Sequence, residues 1–125
     1  MRKIVFVLED DESLREIFTL LLEEEDLEVK TYPTIAAFHA GLKDAVPDIV
    51  VLDVSLPDGN GLDVCAGLKN AIATKSIPVL MVSAHQDFKN THPDPGAQEY
   101  ISKPFNITDF VDTVLKDYNY YTQSM

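Results

Sequence analysis

Cysteine and long apolar runs are scarce in this chain. Its 125 residues include one cysteine, Cys65, so no disulfide can form within the chain. Cys65 lies among apolar helix positions, and we interpret it as a core thiol in a reducing compartment, which favours the cytoplasm. No apolar run is long enough to span a bilayer, and residues 1–3 lead into a predicted strand rather than a signal sequence. We therefore expect a cytoplasmic protein with no membrane partner.

Positive charge is also scarce. The chain has 10 Lys and Arg residues against 21 Asp and Glu residues, a formal net charge of −11, and a pI near 4.4. Such a surface repels phosphate backbones, so we expect no direct nucleic-acid binding; basic or metal-bearing partners fit better. The hydrophobic fraction of 46% is enough for a buried core. We expect one domain over residues 1–125.

Apolar, strand-like runs alternate with segments of helical period. This alternation predicts parallel strands joined by right-handed crossovers, with helices on both faces of the sheet. Residues 27–32 alternate between apolar and polar side chains, which is typical of a half-exposed edge strand. An edge position for the second strand favours the order 2-1-3-4-5. The predicted fold is therefore α/β, a flavodoxin-like, doubly wound, five-stranded parallel sheet.

Four helices are predicted from apolar residues at helical spacing. Asp11 or Ser13 is expected to cap the first helix, Asn60 the third and Asn106 the last, while the second follows Pro33 and Thr34. The buried stripes are expected to be Leu14, Ile17, Phe18, Leu21 and Leu22; Ile35, Phe38 and Leu42; Val64, Cys65, Leu68 and Ile72; and Ile107, Phe110, Val111, Val114, Leu115 and Tyr118.

The segment between residues 84 and 96 has no helical stripe. It contains one large apolar residue, Phe88, and two prolines, Pro93 and Pro95. At most one or two helical turns can form there. We expect the fourth crossover helix of the fold to be short or replaced by a loop.

Acidic, hydroxyl and basic side chains follow the predicted strands. Glu9 and Asp10 come after the first strand, Asp53 ends the third, Ser83 follows the fourth and Lys103 the fifth. The carboxyl ends of parallel strands share one edge, where open α/β sheets bind ligands, so we expect these side chains to converge.

Three carboxylates placed together repel one another unless a cation lies among them. Hard oxygen ligands of this kind suit Mg²⁺, which retains several bound waters that phosphoryl oxygens can replace. With a metal ion and Lys103 offsetting its charge, Asp53 could attack an activated phosphorus atom and form an aspartyl phosphate. Ser83 could then donate its hydroxyl to a phosphoryl oxygen.

Four separate motifs follow one another along the chain, each at or after a predicted strand. They are Glu9-Asp10; Asp53 with Leu56-Pro57 and Gly61 after it; Ser83-Ala84; and residues 96–105. Together they resemble the receiver domain of two-component response regulators, over essentially the whole chain. The resemblance implies that Asp53 accepts a phosphoryl group from a histidine kinase or phosphotransfer protein. A conformational switch then signals to a downstream protein target.

The resemblance also implies roles for the surrounding residues. Asp10 would bind Mg²⁺ directly, Glu9 would act mostly through a water molecule, and Ser55 would contribute its backbone carbonyl. Arg15 favours this register of the acid pair over Asp10-Asp11. Lys103 would pair with the phosphoryl group, and the peptide bond before Pro104 would be cis. Tyr100 would be an aromatic switch that turns inward when Ser83 moves.

Other interpretations remain open at this point. Asp53 could be a solvated acid at a strand end, and Tyr100 a half-buried aromatic. A haloacid-dehalogenase phosphatase also uses a strand-end Asp, but that family has a second Asp two residues later, where Ser55 stands. A degenerate receiver could act only in docking, although the acid, hydroxyl and lysine set is intact. A flavin-binding domain would need a phosphate loop where the acids stand. No further domain follows the last helix, so we expect either a regulator that acts alone or one excised from a larger protein.

Overall fold

The computed structural model describes residues 2–84 and 96–123, and its centre is a parallel sheet. The strands are β1 (Ile4–Leu8), β2 (Glu28–Tyr32), β3 (Ile49–Asp53), β4 (Ser55–Leu56), β5 (Gly59–Asn60), β6 (Val79–Ala84) and β7 (Glu99–Lys103). The helices are α1 (Glu12–Glu23), α2 (Ile35–Asp44), α3 (Gly61–Asn70) and α4 (Ile107–Gln123).

Five of the strands form one sheet in the order β2-β1-β3-β6-β7, and every pair in it is parallel. When the two-residue strands β4 and β5 are set aside, this is the predicted order 2-1-3-4-5. The central strands β1 and β3 are apolar and almost wholly buried because helices cover both faces of the sheet. Strand β2 lies at an edge and is only half-buried, in agreement with its alternating sequence.

Helices α1 and α4 pack on one face of the sheet. The Phe18 ring of α1 stacks on the Phe110 ring of α4, with the ring centroids 4.5 Å apart. Full burial of each ring stabilises the fold by about 2–3 kcal/mol. Helices α2 and α3 pack on the other face, where Phe38 and Leu68 contact the same apolar cluster.

Side-chain caps mark the starts of the four described helices, and three of these caps are at residues predicted as caps. The Asp11 carboxylate accepts a hydrogen bond from the Leu14 amide at 2.9 Å, the Asn60 side chain accepts one from Leu62 at 2.7 Å, and Asn106 accepts one from Thr108 at 2.8 Å. These caps confirm the predicted starts of α1, α3 and α4, because an N-cap oxygen satisfies backbone donors that the helix itself leaves unpaired.

Three residues assigned to buried stripes are exposed instead. Ile72 was expected on α3, but the helix ends at Asn70 and Ile72 is 88% exposed. The chain leaves the helix there because Thr74 Oγ1 donates to the Leu68 carbonyl and Lys69 Nζ donates to the Ile77 carbonyl, which fixes a turn. Ile107 is the first residue of α4 and is 52% exposed.

Ile17 of α1 is the third of these residues, with 40% of its surface exposed rather than buried in the core. The predicted loop after Ser83 falls largely on residues 85–95, outside the described residues, as does the side chain of Tyr118.

A short antiparallel ribbon follows the central strand β3. Strands β4 and β5 pair through Ser55 with Asn60 and through Leu56 with Gly59. Gly59 has φ +156°, and a Cβ atom there would lie 2.8 Å from the Ile35 side chain. The ribbon therefore packs directly against the first turn of α2.

Candidate functional site

Three carboxylates converge at the carboxyl edge of the sheet. Oxygen atoms of Glu9, Asp10 and Asp53 all lie within 4.8 Å of one another. The register of β1 and β3 pairs Leu8 with Leu52, so the next residues along each chain segment, Glu9 and Asp53, emerge side by side. The sheet thereby brings together the acids that the sequence placed 43 and 44 positions apart.

The two members of the acid pair have different environments. Glu9 is 2% exposed and Asp53 is 6% exposed, whereas Asp10 lies in solvent. The backbone that carries the pair is held by Arg15 of α1, whose Nη1 donates to the carbonyls of Glu9 and Asp10, each at 2.9 Å. Arg15 therefore fixes the loop from which both acids project.

Lys103 supplies the positive charge at this site. Its Nζ lies 3.1 Å from Glu9 Oε1 and 3.5 Å from Asp53 Oδ2. Register places it there, since Lys103 pairs with Ala84 of β6 and the following bond to Pro104 is cis, as the resemblance implied. Sequence reasoning linked Lys103 with Asp53, and the buried ion pair with Glu9 is an addition that it missed.

Glu9 shows that this site holds more negative charge than Lys103 balances. Burial, together with the neighbouring Asp53, raises the pKa of Glu9 from 4.5 to about 7, because both effects outweigh the opposite effect of Lys103. Burial alone would lower the pKa of Lys103, but the two carboxylates outweigh burial and raise it. A second cation would relieve the remaining repulsion.

The donor set fits Mg²⁺. All the ligand atoms are hard carboxylate oxygens, and the 4.8 Å limit on their separation is close to the roughly 4.2 Å between opposite oxygens of one octahedral Mg²⁺. Asp10 is the exposed member, so a metal ion can reach it from solvent. Ser55 begins β4 two residues after Asp53 with its side chain exposed, and the metal role of its carbonyl stays a prediction.

Ser83 lies at the same edge of the sheet. Asp53 pairs with Val82 across β3 and β6, so Ser83 is the next residue beyond that pair, and it is 3% exposed. Tyr100 of β7 lies further from this edge, opposite Met81 of β6, and is 37% exposed. The structure thus places Ser83 at the sheet edge that carries the acids, whereas the switch role of Tyr100 stays a prediction.

The loop after Asp53 is closed by backbone contacts. The Gly61 amide donates to the Val54 carbonyl at 2.7 Å, and any Cβ atom on Gly61 would collide with the Asp53 carbonyl oxygen. Glycine is required here because two backbone segments approach so closely. Gly61 therefore keeps Asp53 and the start of α3 in contact.

Asp58 fastens the β4–β5 ribbon to α2. Its two carboxylate oxygens accept from the amides of Ile35 at 2.9 Å and Ala36 at 3.1 Å, and Thr34 Oγ1 caps the next amide, that of Ala37. Sequence reasoning missed this clamp. Asp58 lies 23 residues beyond Ile35, so no local capping pattern could reveal it.

Comparison with known proteins agrees with this arrangement. The profile of the response regulator receiver domain matches residues 5–115. The chain belongs to this family. The receiver domain is a signalling domain of response regulators. The profile match confirms the family inferred from the sequence, and the observed strand order confirms the fold.

Curated relatives of this receiver domain are longer proteins. The DNA-binding response regulator MtrA of Mycolicibacterium paratuberculosis is 33% identical over 116 residues, which cover 91% of this chain and 50% of MtrA. The phosphate regulon transcriptional regulatory protein PhoB of Pseudomonas aeruginosa is 31% identical over 87% of this chain and 48% of PhoB. The chain spans about half the length of these relatives. Their names do not support the expectation that this chain binds no nucleic acid directly.

Solved structures share the same fold. A response regulator receiver domain protein (CheY-like) from Methanospirillum hungatei aligns over the full length of both chains with a TM-score of 0.90 and 20% identity. The chemotaxis response regulator CheY4 of Vibrio cholerae has a TM-score of 0.84 over 93% of this receiver domain and 98% of CheY4, at 23% identity. Within residues 2–84 and 96–123, no helix has the length and apolarity required to cross a bilayer.

Proposed function

We propose that Asp53 is the phosphoacceptor of this receiver domain. The observation that carries the proposal is the buried Asp53 carboxylate, 3.5 Å from the Lys103 amine and beside the carboxylates of Glu9 and Asp10. One Asp53 oxygen forms a bond to phosphorus while the bond between phosphorus and the donor breaks. With a phosphohistidine donor, the imidazole nitrogen leaves with the bonding electron pair.

The neighbouring residues stabilise the charge that develops during transfer. Lys103 donates to a phosphoryl oxygen from a position that it already holds, so little reorganisation is needed. Ser83 is one residue beyond the strand partner of Asp53 and donates its hydroxyl to another phosphoryl oxygen. Movement of Ser83 toward the phosphoryl group then leaves room for Tyr100 to turn inward, which is the conformational signal in this proposal.

Glu9, Asp10, Asp53 and the Ser55 carbonyl would hold Mg²⁺ in this proposal, with Glu9 acting mostly through a water. When bound, Mg²⁺ neutralises charge on the transferring phosphoryl group. Glu9 is buried and paired with Lys103, so its carboxylate orients a water more readily than it leaves the lysine. Asp10 is exposed and free to rotate toward the metal, which is why it is the direct ligand in this proposal.

The proposed phosphodonor is a histidine kinase or a phosphotransfer protein, and the output is a protein target. Residues 1–125 act here as one cytoplasmic signalling domain that catalyses only its own phosphorylation and dephosphorylation. A panel of phosphorylated histidine kinases, assayed for the rate of transfer to this chain, identifies the donor.

Labelling by a small phosphodonor tests the assignment of Asp53. The chain incubated with acetyl phosphate and Mg²⁺ should gain the mass of one phosphoryl group, and hydroxylamine should remove it, as expected for an acyl phosphate. Asp53→Asn should gain none. Asp11→Asn is the matched control, because asparagine caps a helix as well as aspartate does and Asp11 caps α1 at the same edge. Full labelling of Asp53→Asn would refute the assignment.

A phosphatase is the alternative reaction for a strand-end aspartate. Turnover of para-nitrophenyl phosphate by the wild-type chain should stay at the level of a buffer blank. Sustained turnover that Asp53→Asn abolishes would replace the signalling assignment with a hydrolytic one.

A further inference from the structure

A groove runs between α2 and α3, on the helical face of the domain rather than at the acidic edge. Its volume is about 540 Å³, within the roughly 300–1,000 Å³ range of ligand-binding pockets. Ile35 and Leu42 of α2 and Val64 and Leu68 of α3 form its apolar surface. The groove uses none of the residues assigned to phosphoryl transfer.

Gly67 lines this groove in the interior of α3. Glycine is the least favourable residue in a helix interior apart from proline, so its presence calls for a steric reason. Gly41 of α2 has one, because a Cβ atom there would collide with the Tyr32 ring. A Cβ atom on Gly67 would meet no described residue within 4 Å. Among the described residues, none fills the space that Gly67 leaves.

One end of the groove is acidic. Asp58 and Asp63 both line it at the end where α2 and α3 begin. Hydrogen bonds from the Ile35 and Ala36 amides lower the pKa of Asp58, which keeps its carboxylate negative. Within the described part of the chain, His39 is the basic side chain that lines the groove, where it acts on Asp58, and no lysine or arginine does. This end attracts a cation.

Exposed aliphatic side chains follow the two helices, outside the lining of the groove. Val46 follows the C-cap of α2 and is 68% exposed, and Ile72 follows the C-cap of α3 and is 88% exposed. Both helices run back from the carboxyl edge of a parallel sheet, so their C-termini lie at the same end of the domain. The groove lining itself includes Ala71 and Thr74 beyond the end of α3.

We propose that the groove between α2 and α3 is a docking surface for a cationic, amphipathic helix of a partner protein. Aliphatic side chains of that helix pack on Leu42, Val64 and Leu68, while a lysine or arginine at one end pairs with Asp58 and Asp63. Gly67 allows the partner backbone to approach closely. A second copy of this chain is a poor occupant, because two molecules of formal charge −11 repel each other.

Peptide titration tests this docking surface. The probes are fluorescein-labelled helical peptides of about 12 residues, with leucines at i, i+3, i+4 and i+7 and two arginines at either end. Saturable binding to the full chain is expected for one orientation of the arginines. Peptides with glutamates in place of arginines, and peptides of scrambled order, should not bind. Amide shifts in heteronuclear spectra should concentrate on α2 and α3.

Paired variants separate the groove from general attraction to an acidic protein. Asp63→Lys should weaken binding about tenfold or more, whereas Asp112→Lys, the same charge change on exposed α4 surface, should have little effect. Gly67→Phe fills the groove and should abolish binding, whereas Asn70→Phe adds the same ring outside the lining of α3. Asp63→Asn replaces Asp63→Lys if the lysine variant fails to show a cooperative melt.

Several results would overturn the proposal. They are no saturable binding by any cationic peptide, equal weakening by Asp63→Lys and Asp112→Lys, or amide shifts that fall on other elements. Dimerisation of the chain that covers the groove, seen by sedimentation, would assign the surface to a second copy instead. Acetyl phosphate labelling of the groove variants is an independent readout, since none of them touches Asp53.

Discussion

Replacing Glu9 with glutamine measures how strongly the acidic cluster opposes folding. The pKa of Glu9 is about 7 in the folded chain and near 4.5 when solvated, so the folded state holds a proton that the unfolded state releases. A raised carboxyl pKa favours folding at a pH below 4.5, and this contribution is lost as pH rises through 7. The difference between the two limits is about 3 kcal/mol.

The assay is urea unfolding in EDTA at several pH values. Glutamine has a similar shape but does not titrate, so the stability of Glu9→Gln relative to the parent should rise with pH. Between about pH 5.5 and pH 8 the relative gain should be about 2 kcal/mol, since part of the change lies below this window. Working above the pI near 4.4 keeps the chain charged and soluble.

Glu16→Gln is the matched control, because Glu16 is exposed on α1 and stays solvated on folding. Its stability relative to the parent should change little over the same window. If Glu9→Gln and Glu16→Gln follow the same curve, Glu9 does not carry an uncompensated buried charge and the electrostatic account of the site is wrong.

Three further perturbations have expected outcomes. Mg²⁺ at about 100 times its dissociation constant should stabilise the parent against unfolding by about 2.7 kcal/mol. In thermal circular dichroism, Asp10→Ala should melt at a higher temperature than the parent without metal, and Mg²⁺ should not shift its melting temperature. A parent whose stability does not depend on Mg²⁺ would contradict this. Gly61→Ala should lose about 1–3 kcal/mol in urea unfolding because its Cβ atom collides with the Asp53 carbonyl, and wild-type stability would contradict the contact. Gly67→Ala, the same change in open space, should gain up to about 1 kcal/mol by the same measurement, and a loss would mean that the Cβ atom is not accommodated.

Much of the fold was predictable because local patterns and topology agree. Apolar runs such as residues 49–52 can only be buried on both faces, and this requires a parallel sheet with helices on each side. Once the sheet is parallel, Asp53, Glu9 and Lys103 must share an edge whatever their separation along the chain. The strand order and the convergence of the acids both follow from that constraint.

The remaining features depend on contacts that no local pattern encodes. Glu9 and Asp10 are adjacent and chemically alike, yet one is buried against Lys103 and the other is exposed, which depends on the exact register of β1. Ile72 matched the period of α3, but side-chain bonds to the carbonyls of Leu68 and Ile77 end the helix first. The Asp58 clamp joins segments that come together only in the finished fold.

The Asp58 clamp also fixes one side of the domain. The ribbon after Asp53 cannot tilt away from α2 without breaking the hydrogen bonds from the amides of Ile35 and Ala36. Strands β6 and β7, which carry Ser83 and Lys103, lie on the other side of β3 from β1 and β2. Modification of Asp53 therefore takes place beside an anchored wall at α2, and this wall gives the response its direction.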